Sequence, residues 1–321
     1  MTVAEQLSAL GAILAQSSIH SLFQPIICLS EQRIHGHEAL SRGPSNSPLH
    51  SPLNLFAIAR QAGRLTDLEA ACRESACRRF SEQQLGGKLF LNISPESLLE
   101  PNYPSGRTLK LLEQVGLEPS RVVIELTEQT PTDDFQLLSN ALHHYRDMGF
   151  SIALDDLGAG YSSLRLWSEL RPEYVKIDRH FIDGIHCDPL KREFVGSILQ
   201  IARASRAQVI AEGIELAEEL AVLTEMGVDL VQGYLLGRPQ ELGVREVVAP
   251  VMPVASGGQP TVGLNATLGQ VIELFGRHQH LESLEVLGVD GRPCGLVHRS
   301  ALPVMASSRG RPAPTEAWQA R

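Results

Sequence analysis

The 321-residue chain is long enough for one large domain, or one large and one small, and its 43% apolar content supports a sizeable core. With 28 basic against 37 acidic residues and a formal net charge of −9, it is unsuited to electrostatic capture of polymeric nucleic acid or an anionic membrane surface. A small anionic ligand held by metal ions and one or two arginines stays open. No apolar run approaches the ~20 residues of a membrane span, so no membrane insertion is expected. The N-terminus MTVAEQLSALGAILAQ lacks the basic start of a signal peptide. The five cysteines, at 28, 72, 77, 187 and 294, form no short CxxC pair. They read as reduced thiols, and the expected localisation is cytoplasmic.

In chain order, the pattern predicts an N-terminal helix over residues 1–19 and a large domain over 20–245. Strand-like runs begin with SLFQPIICL and RIHGHEALS, joined by a short turn and expected to pair as a hairpin. KLFLNIS, RVVIELTE, FSIALDD, YVKID, QVIAEGIE and DLVQGYLLG follow. Between them lie segments with apolar residues at three- and four-residue spacing, as in amphipathic helices. Eight strands alternating with helices predict an α/β fold, a modified TIM (β/α)8 barrel whose hairpin makes the first strand antiparallel. The Pro- and Gly-rich stretch over 246–260 reads as a linker. Residues 261–306 read as a small α+β segment with a helix and two strands around a DG turn. The Arg-, Pro- and Ala-rich tail 307–321 reads as disordered.

Seven of the runs end in polar residues: Glu38, Asn92, Glu125 with Glu128, Asp155 with Asp156, Lys176 with Asp178, Glu212, and Gln232. In a barrel of parallel strands those ends meet on one face, where such folds carry their sites. Alternation leaves Asp155 pointing inward while Ile152 and Leu154 pack outward. A lone acid after a strand is ordinarily a helix cap or a solvated loop residue, but the full set is different. Several carboxylates brought together repel one another and are costly to desolvate. Lys176 and Arg42 are the local candidates for compensation, and divalent cations resolve the rest. Oxygen donors without His or Cys favour Mg2+ or Mn2+ over zinc, and carboxylates bridging two such ions suit phosphodiester hydrolysis. Arg42, beyond Glu38 on its strand, is placed to hold a phosphate. His35 and His37 fall on the strand face opposite Glu38, and His143 and His144 in a polar helix; all four read as structural or solvated. LDDLGAGYSSL reads as a loop beside the site, hinged at its glycines.

With these residues in hand, the chain resembles the EAL-domain cyclic-di-GMP phosphodiesterases over roughly residues 20–242. The motifs occur in the family's order: QPI at 24–26, EALSR at 38–42, NIS at 92–94, ELTE at 125–128, DDLGAGYSSL at 155–164, VKID at 175–178, AEGIE at 211–215 and QGY at 232–234. The resemblance implies cleavage of cyclic di-GMP to linear pGpG with two Mg2+ or Mn2+ ions per site, and inhibition by Ca2+. It implies that Glu38, Asn92, Glu125 and Asp155 bind the first ion, with Asp155 bridging to a second and Asp156 a further ligand. Lys176 would position the attacking water. Glu212 would either activate that water or bind the second ion, and these roles are not separable by sequence. Gln24, Leu40, Arg42 and Gln232 would contact or support the substrate, and Glu128 would anchor a loop. Leu157 departs from the phenylalanine many members carry there. A homodimer is implied, through the barrel near residues 156–185 or through the C-terminal segment.

The stretch VDGRPCGLVHRSAL resembles a single CBS motif; such motifs bind adenine nucleotides in pairs, so that activity would need two chains. No GG(D/E)EF cyclase motif occurs. The alternative to an enzyme is a receptor that binds cyclic di-GMP without cutting it. Receptors of that kind usually lose the EAL glutamate, a paired aspartate or the lysine, and all are present here.

Overall fold

The computed structural model describes residues 2–99, 105–127, 135–157, 163–247, 261–263, 266, 268–277, 283–287 and 293–299. The chain divides into two compact units, Met1–Pro253 and Val254–Arg321, with the division inside the expected linker.

The first unit is a closed eight-stranded barrel: β1 His20–Cys28, β2 Arg33–Arg42, β3 Lys88–Ile93, β4 Val122–Thr127, β5 Ser151–Leu157, β6 Tyr174–Ile177, β7 Gln208–Ala211 and β8 Leu230–Val231. The expected hairpin is present. β1 pairs antiparallel with both β2 and β8, and the pairings from β2 through β8 are parallel. The last two strands are shorter than the sequence runs suggest, because residues 212–215 after Ala211 and 232–234 after Val231 leave the strands as loops. The N-terminal helix covers Val3–Ala15 and opens on a capping box, with Thr2 and Glu5 satisfying each other's backbone N–H.

Strand alternation divides the apolar residues between two layers. Ile26, Phe90, Val123, Ala153, Tyr174, Ile210 and Leu230 fill the barrel interior. Leu89, Leu91, Ile124, Ile152, Leu154, Val175 and Val209 face outward into the core shared with the helices. Both rows are lost to water at 0–5% exposure, and each Val, Leu, Ile or Phe among them contributes roughly 1.5–3 kcal/mol of hydrophobic stabilisation. Leu157, the position of the family departure, is buried in the outer layer.

One expectation about the histidines fails. The β1–β2 register shifts between Ile26 and Ile27, so that Ile26 pairs with Gly36 and Ile27 with Ile34, leaving His35 as the extra residue. A bulge of this kind re-aims the side chain that alternation would have placed elsewhere. His35 therefore points inward at the base of the barrel, 3.1 Å from the Tyr174 hydroxyl and against Phe90. Burial, then Arg33 and Lys88, lower its pKa to about 4. His37 keeps the outward face, edge-on to Phe23 and Phe80, with Nε2 2.7 Å from the Val244 carbonyl. His143 and His144 are exposed, as expected.

The second unit holds β9 Thr261–Gly263, a helix Leu268–Arg277, β10 Ser283–Leu287 and β11 Pro293–His298. β9 pairs parallel and β11 antiparallel with β10. The sequence reading contains the helix and the last two strands but not β9. The core is small: Val262, Val271, Phe275 and Leu284. The predicted DG turn, the linker residues 248–260 and the tail 307–321 lie outside the described residues. No helix among the described residues is long and apolar enough to cross a membrane.

Candidate active site

The inward row continues past the apolar layer. Two residues beyond each interior side chain, on the same pleat, comes a polar one: Asn92 after Phe90, Glu125 after Val123, Asp155 after Ala153, Lys176 after Tyr174, Glu212 after Ile210 and Gln232 after Leu230. The period of two sets the direction, and the parallel register sets the level. Asn92 pairs with Glu125, and Gln24 with Glu38 across the hairpin.

Lys176 stands at the centre and is 1% exposed. Its Nζ lies 2.6 Å from Glu212 Oε1, 3.0 Å from Glu125 Oε1, 3.1 Å from Asp155 Oδ1 and 3.3 Å from Glu38 Oε2. Glu38 is further tied by Asn92 Nδ2, which donates to Oε1 at 3.0 Å, and by Gln232 Nε2, which donates to Oε2 at 2.8 Å. Gln232 Nε2 also lies 3.2 Å from Gln24 Oε1, and Gln24 Nε2 donates to the Gly237 carbonyl at 3.1 Å. Two amide side chains and one ammonium thus hold the carboxylate of the EAL motif, and Gln24 steadies Gln232.

These environments split the acids. Burial pushes Glu38 upward, but the Lys176 ammonium and the Gln232 and Asn92 hydrogen bonds outweigh it and hold the carboxyl below its ordinary range. Burial is also the largest influence on Glu125 and Glu212 and lifts both well above that range, with Lys176 opposing and the neighbouring carboxylates reinforcing it. Asp155 is raised for the same reasons. Burial would lower Lys176, yet Asp155, Glu125, Glu212 and Glu38 together hold its pKa well above normal. Glu125 is fully buried, and neither carboxylate oxygen has a hydrogen-bond partner. Its 3.0 Å approach to Lys176 is an ion pair without hydrogen-bond alignment.

That orphaned carboxylate is the test of fit for a metal. With all four acids ionised, one ammonium leaves three negative charges uncompensated in a buried site, and both Glu125 oxygens remain as acceptors without donors. Oxygen donors in this excess fit hard divalent cations. Asp155, Asp156 and Glu212 each place a carboxylate oxygen within 4.8 Å of the others, a second grouping suited to an ion.

Simple alternation does not explain how adjacent aspartates reach one site. Asp156 has φ 56°, and the β5–β6 register shifts between Leu154 and Leu157. The left-handed turn breaks the alternation at a cost of about 1 kcal/mol. The Asp156 N–H donates to Asp155 Oδ1 at 3.0 Å, which fixes the first carboxylate while the second turns toward Glu212. The only sequence signal is the doubled acid itself.

Other predicted residues take supporting places. Leu40, Arg42 and Phe56 line a cleft of about 240 Å3 together with Glu38 and Asn92. Arg42 does not share the work of compensation that the sequence suggests for it. Its guanidinium donates to the Ser41 carbonyl at 2.9 Å, at the end of β2, while Lys176 occupies the centre of the acids. Asp178 caps the short helix Arg179–Ile182 by accepting the His180 N–H. Gly213, at φ 71°, has Arg179 lying where a Cβ would sit, which lets Arg179 pair with Glu215 at 2.9 Å beside Glu212. Glu128 and loop residues 158–162 lie outside the described residues.

An eight-stranded barrel with one antiparallel strand and an acidic, lysine-centred cluster at its strand ends defines a class of α/β barrel built for divalent cations. The EAL domain family matches residues 6–239, and the chain belongs to that family. Among curated relatives, Cyclic di-GMP phosphodiesterase NbdA of Pseudomonas aeruginosa is 31% identical over 230 residues, 70% of this chain and 29% of its own length. Probable cyclic di-GMP phosphodiesterase PdeA of Escherichia coli is 33% identical over 49% of this chain and 21% of its own length. The chain thus spans less than a third of the length of these relatives. Among solved structures, a standalone EAL protein of Vibrio cholerae in its c-di-GMP-bound form superposes with a TM-score of 0.67 at 27% identity. That match covers 74% of this chain and 98% of the other. The calcium/cy-diGMP complex of Klebsiella pneumoniae BlrP1 gives 0.66 at 31% identity, over 72% and 58% of the two chains.

Proposed function

We propose that the chain is a cyclic-di-GMP phosphodiesterase that hydrolyses one phosphodiester of the cyclic dinucleotide to give linear pGpG. The observation that carries this reading is the convergence of Glu38, Glu125, Asp155 and Glu212 on Lys176, with Asn92 alongside, in an EAL-domain barrel. Glu38, Asn92, Glu125 and Asp155 would hold one Mg2+ or Mn2+, and Asp155 with Asp156 a second. Bound there, such ions supply Lewis-acid charge that lowers the pKa of water and offsets charge on phosphate oxygens. Lys176 Nζ, fixed by its four carboxylates, orients the attacking water through its N–H bonds. Burial lifts the Glu212 pKa well above the ordinary carboxylate range; its carboxylate oxygens would take and release the water's proton or, with Asp155 and Asp156, hold the second ion. Gln24, Leu40, Arg42 and Gln232 bind the substrate, with Arg42 on a phosphate, and Glu128 steadies the neighbouring loop.

Incubating the chain with cyclic di-GMP and Mg2+ and separating the products tests this directly. pGpG is expected from the wild type and not from Glu38→Ala, with rates lower by at least about 10²-fold. Ca2+ should bind but support little turnover, because its looser coordination positions water poorly. Intact cyclic di-GMP retained by the wild type would instead make the chain a receptor, and full activity in Glu38→Ala would overturn the site.

A homodimer through the barrel belongs to the same reading. Leu190, Phe194 and Ile201 are exposed along one face of the helix Pro189–Ser205, just beyond the expected 156–185 region, with Phe194 5.7 Å from Phe181 within it; this surface is suited to a second copy of this chain. Phe194→Asp is expected to shift the sedimenting species from dimer to monomer; a monomeric wild type refutes it. The C-terminal unit reads as a single CBS-like motif, so an adenine nucleotide would sit between two chains. An unchanged melting temperature on adding ATP counts against that.

A further inference from the structure

Glu69 and Arg73 lie one turn apart on the helix Leu65–Glu82, at 3% and 5% exposure. Neither belongs to the strand-end set, and no motif singles them out. Arg73 Nη1 is 3.7 Å from Glu69 Oε2, a loose ion pair for a site this dry. Two charges buried at such a distance cost more in desolvation than their attraction returns, so the pair contributes little to stability by itself. Its geometry points elsewhere. Glu69 Oε1 accepts the backbone N–H of Ser94 at 3.1 Å. The Ser94 hydroxyl donates to the Ser97 hydroxyl at 3.2 Å beside it, and Glu69 Oε2 has no hydrogen-bond partner. Ser94 is the N-cap of the short helix Pro95–Leu98, its Oγ accepting the Ser97 N–H at 3.3 Å. It follows Asn92 by two residues at the end of β3, and Asn92 donates to Glu38 at 3.0 Å. The same helical residues wall the cleft that Glu38 and Asn92 open into.

We propose that Glu69 is a positioning residue: it clamps the end of β3 through Ser94, so that Asn92 faces Glu38 and the cation cluster, while Arg73 offsets its charge. A β-strand end with free backbone groups would otherwise fray, and a displacement of only about 1 Å at a metal-binding side chain is enough to weaken binding and catalysis severely. The inference rests on the metal-dependent reading of the site, and its test separates the two. Mn2+ affinity is measured by electron paramagnetic resonance on Glu69→Ala, Glu69→Gln and the wild type, beside melting temperature, kcat and KM. Glu69→Ala is expected to weaken Mn2+ binding and lower kcat by about 10- to 100-fold, as the loss of a residue that orients a metal ligand does, with KM for cyclic di-GMP within about threefold. Glu69→Gln keeps an acceptor oxygen for the Ser94 N–H and should recover most of both. If Glu69→Ala does not fold, Glu69→Asp withdraws the oxygen while keeping the charge and carries the same comparison. Unchanged Mn2+ affinity in a folded variant of lower melting temperature makes the role merely structural and overturns this proposal alone. A wild type that binds no Mn2+ overturns both readings. Mn2+ binding that weakens in Glu69→Ala, in a wild type that leaves cyclic di-GMP uncut, supports the clamp while the phosphodiesterase reading fails.

Discussion

Lys176→Met is expected to abolish turnover and to lower the melting temperature of the chain in EDTA. The lysine is the cation that Glu38, Glu125, Asp155 and Glu212 share, at 2.6–3.3 Å. Methionine preserves much of the volume and removes the charge. Four buried carboxylates then face one another without an ammonium, and breaking a buried ion pair from one side costs about 3–5 kcal/mol. For a domain of this size each kcal/mol moves the midpoint by about 2–4 °C. Added Mg2+ should restore part of the stability, since it supplies positive charge to the same oxygens. It should not restore turnover, because the donor that orients water is gone; a loss of about 10²- to 10⁴-fold is expected. Calorimetry with and without Mg2+, beside product chromatography, checks both halves. A variant as stable in EDTA as the wild type would mean that Lys176 does not compensate the acids.

Glu125→Gln should move stability and function in opposite directions. In the cation-free chain Glu125 is fully buried, has no hydrogen-bond partner and is repelled by three other acids. An amide removes a charge that burial penalises, while Lys176 keeps Glu38, Asp155 and Glu212 as partners. The melting temperature in EDTA should therefore rise, by an amount corresponding to about 1 kcal/mol or more. The wild type's pH dependence has the matching sign. Glu125 and Glu212 have folded-state pKa values raised above their unfolded values. Their contribution is fully present below the unfolded carboxylate range and is lost as pH rises through the raised values. Mg2+ reverses this penalty, stabilising the wild type by about 2.7 kcal/mol at a hundredfold excess over Kd. Glu125→Gln should lose most of that gain and nearly all turnover. If it is less stable than the wild type in EDTA and equally stabilised by Mg2+, Glu125 is not an ionised metal ligand.

Both predictions start from residues visible in the sequence, and the reason is geometric. Where strands are regular, a period of two and a parallel register carry a polar residue from its position in the run to its place on the barrel's face. Asn92, Glu125, Asp155, Lys176, Glu212 and Gln232 are legible for that reason, and Glu38 with Gln24 through the antiparallel hairpin. Legibility fails where the ladder is irregular. His35 defies alternation because a bulge adds a residue that no local pattern announces. Asp156 reaches the cluster through a left-handed φ of 56° that an aspartate tolerates but does not advertise. Arg42 looks from the sequence like a compensating charge, yet its guanidinium donates to its neighbour's carbonyl and the acids share Lys176. Glu69 stays hidden on a helix because its meaning lies in a contact with Ser94, 25 residues away.

Periodicity and residue chemistry along short stretches suffice for the barrel, its antiparallel start and the oxygen-rich set at the strand ends. They do not say which carboxylates share Lys176, which acid is left without a partner, or which helix steadies the end of β3. Those outcomes depend on distances between segments far apart in the chain and on the water excluded when they close together. No local pattern of residues encodes either quantity.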